Sequence, residues 1–394
     1  MSGPFINLDS LQLAKVKQKI QDKTASERTK TAYKTLINYA NHLLTVENPS
    51  VVNKTITAPN ADIHDYVSLS RYWWPDPEKK DGLPWIRKDG ETNPYTQTKV
   101  ADRYGLASMS SGVRTLSRAY YFTGDERYAQ KAASMIKTWF IDESTRMNPN
   151  LEFAQSIPGY PNTRPQGILD GRSIVLVVPD AINILSRSPH WTSDLKIKMN
   201  TWFTEYLTWL TDSNMGKKGV ELDNNHGSWY KFQVASLALY LGNKPLVEKM
   251  VNLAQQSLQQ QLNDQGGQIH EIARTKSFSY SCFNLNALTH IALIGDNVGM
   301  DMWHFKTKDG KSLSLAVDYL KPAIDGKTWP HPNIEDLDFD ELVVILMRMS
   351  DHIQSNEYED LLRKTINIVV EKEKTTGKKN EVLQDLSLLT DFTF

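Results

Sequence analysis

The chain has 394 residues, 40% hydrophobic and 23% charged, with a formal net charge of −1, the balance of a soluble globular protein. That charge excludes a global basic field for nucleic acid or an anionic membrane, so a polyanionic ligand needs a local basic cleft. The single cysteine, Cys282, rules out an internal disulfide or a cysteine-built zinc site, the nine histidines show no metal-ligand spacing, and no run of about 18 apolar residues marks a membrane span.

In chain order, Met1-Ser2-Gly3-Pro4 carries no signal peptide, as expected of a mature chain. Residues 11–23 and 28–45 read as amphipathic helices before a polar stretch at 46–60. Residues 101–122 place Leu106, Met109, Val113, Leu116, Ala119 and Tyr120 on one helical face. A turn at Thr123-Gly124-Asp125 leads to a helix at 126–140. The unit recurs: setting Gly124 on Gly242 puts Asp125 on Asn243, Tyr128 on Leu246 and Lys131 on Lys249, and Gly295-Asp296 opens a looser third copy. Further helices are expected at 171–187, 194–211, 228–241, 245–262, 283–294, 312–320, 337–352 and 356–371, with no strongly alternating strand. Stacked helical hairpins of this kind predict an all-α fold, an α/α toroid (an incomplete α/α barrel), with a central cleft and no linker dividing residues 1–394 into domains.

Two long segments break the helical rhythm. Residues 60–100 are rich in Pro, Asp, Gly, Trp and Tyr, and residues 144–170 hold Asn148-Pro149, Pro158-Gly159, Pro161 and Pro165. Long aromatic-rich loops read as lids and cleft walls rather than disorder. The chain has 10 Trp and 16 Tyr. A single Trp is read first as core, whereas the Trp73-Trp74 pair among turn residues suits stacking on a sugar ring.

Four segments carry candidate chemistry. Asp223-Asn224-Asn225-His226-Gly227-Ser228 opens a helix. Capping accounts for some of these residues, but a helix N-terminus also favours an anion, which the Asn amides and the His imidazole suit. In Glu271-Ile-Ala-Arg274-Thr-Lys276-Ser-Phe-Ser-Tyr280, a Ser-rich run with no obvious helical pattern, Arg274 and Tyr280 are either a surface cation and a half-buried phenol or an Arg that lowers the pKa of a Tyr. Tyr66, Arg71, Tyr72 and Trp73, with Trp85 and Arg87 beyond, combine guanidinium and aromatic groups as an anionic sugar requires; a structural Trp/Pro plug is the plainer reading. Arg164, Gln166 and Arg172 lead from a loop into a helix and suit a cleft lining, with a salt-bridge role for Arg172 the alternative.

Taken in order, Tyr66–Pro77 with Gly90 and Asn93-Pro94, the Gly167–Arg172 turn, Asn224-Asn225-His226, Arg274 with Tyr280, Asp301–Leu313, Tyr319-Leu320 and Trp329-Pro330 make the chain resemble the alginate lyase family over about residues 60–350. The resemblance implies an α/α toroid with no metal or other cofactor and a catalytic set of Asn225, His226, Arg274 and Tyr280. It also implies substrate contacts from Tyr66, Arg71, Tyr72, Trp73, Gln166, Arg172 and Asn224. The reaction implied is β-elimination on 4-linked uronate polymers, mannuronate-rich alginate first. The ligand is then an acidic polysaccharide, not nucleic acid, and the protein a periplasmic or secreted monomer. Arg274 and Tyr280 stand one residue closer than in the alginate lyases nearest the family prototype, which points to a sister branch that includes glucuronan lyases. The rivals are a glycoside hydrolase using Asp223 and Glu271 as its carboxylate pair, a non-catalytic polysaccharide-binding protein and a helical scaffold for protein partners.

Overall fold

A computed structural model of the chain describes residues 5–160 and 163–391. The start of the chain, read above for a signal peptide, and Pro161 of the second loop lie outside these residues. The described residues are mostly helical and gather into two compact units. One holds residues 5–7, 34–221 and 236–242; the other holds residues 8–33, 222–235 and 243–391. The chain passes between the units five times, at 7/8, 221/222 and 242/243 and within two helices, α2 (Glu27–Leu43) and α8 (Asn225–Tyr240). No Gly- or Pro-rich linker marks the division, so the sequence carries no boundary signal.

The first unit contains α3 (Asp102–Thr123), α4 (Glu126–Phe140), α5 (Arg172–Leu185), α6 (Ser193–Asp212) and α7 (Asn214–Val220). The predicted turn between α3 and α4 is present. Gly124 adopts φ +74°, its N–H donates to the Tyr120 carbonyl at 2.8 Å, and Asp125 caps α4 by accepting from the Arg127 N–H. Only glycine takes that left-handed conformation without steric cost, so the helix stops there. Trp139, Phe140, Trp202, Phe203 and Tyr206 are buried, which gives those aromatics the core role. The loops are pinned by short strands that alternation did not reveal. β1 (Val67–Leu69) pairs in parallel with β4 (Phe153–Ser156), and β2 (Trp73–Trp74) pairs antiparallel with β3 (Ile86–Arg87). Two to four residues are too few to show a period of two.

The second unit contains α1 (Ser10–Gln21), α9 (Lys244–Gln261), α10 (Ser277–Asp296), α11 (Leu313–Asp318), α12 (Lys321–Ile324), α13 (Asp340–His352), α14 (Asn356–Thr376) and α15 (Glu381–Thr390). Two expectations are corrected here. Gly295 is not a hairpin turn, because α10 runs through it to Asp296 and the left-handed glycine is Gly299 at φ +78°. A side chain at Gly295 would meet the Met300 carbonyl oxygen at 2.6 Å, so this glycine serves a close approach. Helix α10 also starts at Ser277 rather than 283. It is buried on nearly every side, and a helix apolar all round has no polar face from which to read its period.

Candidate active site

In the second unit, two of the four residues assigned a catalytic role, Asn225 and Arg274, act on one buried carboxylate, and a third, Tyr280, lies against Arg274. Helix α8 starts at Asn225, whose backbone N–H donates to Glu271 Oε1 at 2.7 Å. The Asn225 side-chain Nδ2 donates to Glu271 Oε1 at 3.0 Å and Oε2 at 2.9 Å. The next N–H, of His226, donates to Asn224 Oδ1 at 3.0 Å. The anion that the positive end of this helix favours is therefore the protein's own Glu271, not an external one. Asn224, expected as a substrate contact, caps the helix. Gly227 is required here because a Cβ would sit 1.7 Å from the Leu222 carbonyl oxygen, so only glycine lets the chain fold back over the first turn.

Glu271 lies in a turn whose N–H donates to the Gln268 carbonyl at 2.9 Å, and Arg274 N–H donates in turn to the Glu271 carbonyl at 3.0 Å. Beneath it, Gln268 Nε2 donates to the Ser281 carbonyl, and Asn284 Nδ2 donates to both Gln261 Oε1 and Gln268 Oε1 at 2.8 Å. These buried amide hydrogen bonds tie the turn to α9 and α10. Burial pushes the Glu271 carboxyl above the ordinary range, against the Asn225 hydrogen bonds and the charge of Arg274, which hold it down.

Tyr280 is half-buried in the first turn of α10, and the Arg274 guanidinium carbon stands 3.8 Å from its ring centroid. The segment expected to be irregular is thus helical at its Tyr280 end. That end is braced by Trp329 Nε1, which donates to Ser277 Oγ at 2.7 Å, and by Phe278 edge-on to Trp329 at 5.3 Å. The contacts run Asn225–Glu271–Arg274–Tyr280, with half-buried His226 beside Asn225 on α8. Glu271 is the member the sequence reading assigned only to a rival mechanism; its spacing of three from Arg274 was the available signal. Asp223, the other hydrolase candidate, is exposed, and Glu271 is enclosed by donors. Buried Lys231 was not anticipated either. Its Nζ reaches the Gly227 carbonyl at 3.4 Å, and burial pulls its amine down to about 8.

In the first unit a second buried carboxylate, Asp170, organises the loop residues. Tyr66 Oη donates to it at 3.0 Å, Ser68 Oγ at 2.5 Å and Gln155 Nε2 at 3.0 Å, and Arg103 forms an ion pair with it at 3.1 Å. Burial alone would raise the Asp170 carboxyl, but Arg103, Ser68, Gln155 and Arg172 hold it below the ordinary range. Tyr66 is a correction: it is 0% exposed and its hydroxyl is engaged by Asp170, so it supports the segment instead of touching a sugar. Arg172 is half-buried, donating to the Leu169 carbonyl at 3.1 Å. Gln166 is half-buried in the preceding 3-10 turn. Arg71 is exposed, and Tyr72 and Trp73 are half-buried, with Trp73 edge-on to Tyr160 at 5.4 Å and packed on Leu69, Trp85 and Ile157. Arg164 donates to Ser70 Oγ at 2.6 Å and to the Gln155 carbonyl at 3.0 Å; burial, with Arg87 nearby, lowers its guanidinium pKa. Among the described residues no group of His, Cys, Asp and Glu is clustered as a metal site, and no helix is long and apolar enough to cross a membrane.

A family model for alginate lyases matches residues 50–329. Among solved structures, an alginate lyase from Bacteroides ovatus is 35% identical over 98% of this chain and 99% of its own, with a TM-score of 0.89. Alginate lyase A1-III from Sphingomonas species A1 is 16% identical over 88% of each chain, with a TM-score of 0.57, and shares the fold. A variant of that enzyme complexed with a tetrasaccharide matches with a TM-score of 0.58 at 15% identity. No curated protein matches. The helical architecture and these likenesses define the class, a polysaccharide lyase of the all-α toroid kind expected from the sequence. The chain belongs to the alginate lyase family.

Proposed function

We propose that this chain cleaves 4-linked uronate polymers, mannuronate-rich alginate first, by β-elimination, with Tyr280 as the proton-transferring group. The observation that carries the reading is the Arg274 guanidinium 3.8 Å from the Tyr280 ring centroid, beside the buried Glu271–Asn225 pair. The C5 hydrogen of a uronate is adjacent to the carboxylate, and its removal moves charge onto that group. Arg274 and His226 neutralise this charge, which lowers the barrier where it develops. A cation against the ring favours negative charge on the phenol oxygen, and so favours Tyr280 as the base. In mannuronate and glucuronate the C5 hydrogen and O4 leave from the same face, so one tyrosine takes the first proton and returns one to O4. In guluronate they lie on opposite faces, and His226 serves as the separate base. The products are a new reducing end and a 4,5-unsaturated uronate.

Arg71, Tyr72, Trp73, Gln166 and Arg172 are the proposed contacts for further sugar units, with residues 60–100 as lid. Residues 1–394 work as one catalytic domain, monomeric and exported to the periplasm or beyond. The shorter spacing of Arg274 and Tyr280 favours glucuronan as the second substrate. The test is ultraviolet absorbance of the protein mixed separately with polymannuronate, polyguluronate and glucuronan. A rise in the unsaturated-uronate band on polymannuronate is expected. New reducing ends without that band would make the enzyme a hydrolase.

A further inference from the structure

A cleft in the first unit shares no residue with the candidate active site. Its volume is about 380 Å³, within the roughly 300–1,000 Å³ of small-ligand sites. It is walled by the end of α2 and the loop after it, the start of α3 and part of α4. Two tyrosines stand open on these walls, Tyr39 at 45% and Tyr104 at 46% exposure. Tyr39 is stacked with His42, the ring centroids 6.2 Å apart and the planes 21° from parallel. Lys99 Nζ stands 5.5 Å from the Tyr104 ring centroid. The base of the cleft is preformed. Lys54 Nζ donates to the Val51 carbonyl at 2.8 Å and the Ile63 carbonyl at 2.7 Å, and it pairs with buried Asp102 at 3.2 Å. All three N–H groups of Lys54 are thus taken. Asp102 also accepts the Val67 N–H at 2.8 Å, which ties this base to β1.

The remaining charge favours an anion. With Lys54 and Asp102 cancelling, Lys99 and Lys131 stand against one exposed carboxylate, Glu47. Lys131 Nζ donates to the Val46 carbonyl at 2.5 Å, which uses one of its three N–H groups. Surface lysines alone would say little. Here they border a concave site with open aromatic walls, which suits an anionic sugar: rings for its apolar face and ammonium groups for its carboxylate. Resting on the lyase reading above, we propose that this cleft is a second, non-catalytic site for the same polyuronate. Tyr39 and Tyr104 stack on sugar rings, and Lys99 and Lys131 bind carboxylates. A polymer long enough to occupy both sites is held to the enzyme between cleavage events, which raises its apparent affinity without changing the reacting bond.

The test is calorimetric titration of the Tyr280→Phe enzyme, in which turnover is blocked, with a mannuronate trisaccharide. Two sites per chain are expected. Adding Tyr39→Ala and Tyr104→Ala, at exposed positions and with folding followed by circular dichroism, should leave one site and weaken the other at least about tenfold. In the otherwise wild-type enzyme the same pair of changes should raise KM on polymannuronate about tenfold. It should leave kcat, and KM for a mannuronate tetrasaccharide, unchanged. A single site before the tyrosines are removed, or a polymer KM that does not move, overturns the proposal. A neutral mannose trisaccharide that fills the cleft as tightly overturns the assignment to uronate, as does full binding after Lys99→Gln with Lys131→Gln. A wild-type enzyme that forms no unsaturated product would count against the lyase reading, while the titration still decides the cleft.

Discussion

Each unit of the molecule is organised around a buried carboxylate, and the two differ in how the charge is balanced. Asp170 has a guanidinium partner in Arg103 and three neutral donors, and its carboxyl is held below the ordinary range. The Glu271 carboxylate accepts three hydrogen bonds from Asn225, with Arg274 acting on it by charge, and its carboxyl lies above that range. A carboxylate with a built-in cation is a keystone, ionised throughout the working pH range. A carboxylate held by an amide has its cation beside it by charge, and in this chain that cation, Arg274, lies against the Tyr280 ring. Two buried carboxylates thus differ in what holds them, a guanidinium in one unit and an amide beside the Arg274–Tyr280 contact in the other.

The largest effect should come from breaking the keystone. Asp170→Asn preserves shape but strands Arg103, and removing one partner of a buried pair costs about 3–5 kcal/mol, to be read as a lowered midpoint in chemical denaturation. Because the Asp170 pKa is depressed in the fold, its contribution is complete above the unfolded carboxylate value of about 3.9 and fades as pH falls below it. The difference between wild type and variant should therefore be constant near neutrality and shrink only in acid. A variant as stable as wild type would remove the contrast between the two carboxylates.

Next in size is Gly227→Ala. Its Cβ would meet the Leu222 carbonyl oxygen at 1.7 Å, so the backbone beside His226 must move. Misplacing a reactive group by about an ångström costs on the order of 100-fold in kcat, while overpacking costs about 1–3 kcal/mol of stability. Normal kcat in a folded Gly227→Ala enzyme would place the reactive centre elsewhere. Smallest is Arg71→Ala on the exposed loop. It should raise KM by about three- to tenfold, the worth of roughly 1 kcal/mol for an exposed charge contact, and leave kcat unchanged. An unchanged KM would remove the loop from substrate binding.

The helical class was legible because period and caps agree: Gly124-Asp125 and Gly242-Asn243 stop and restart helices through backbone geometry that their residue types require. The start of α10 was not legible, since an all-round buried helix has no polar face and Ser277 resembles a loop residue. The short strands fell below the length at which alternation can be seen. Within the candidate site, residue types and order picked out Asn225, Arg274 and Tyr280, but the carboxylate joining them could not be weighed from sequence, because Glu271 matters through what it accepts and not through its exposure. Tyr66 failed in the opposite sense. Its place in an aromatic, arginine-bearing loop suggested a sugar contact, while the hydroxyl is engaged by Asp170 104 residues along the chain.

The most direct measurement is turnover of polymannuronate by Tyr280→Phe, followed by unsaturated-uronate absorbance, alongside binding of the same polymer by titration calorimetry. General acid–base catalysis accounts for about 10²- to 10⁴-fold, so the predicted result is a loss of kcat of at least that order with the dissociation constant unchanged within about threefold. A Tyr280→Phe enzyme with near-wild-type kcat would contradict the assignment of proton transfer to Tyr280.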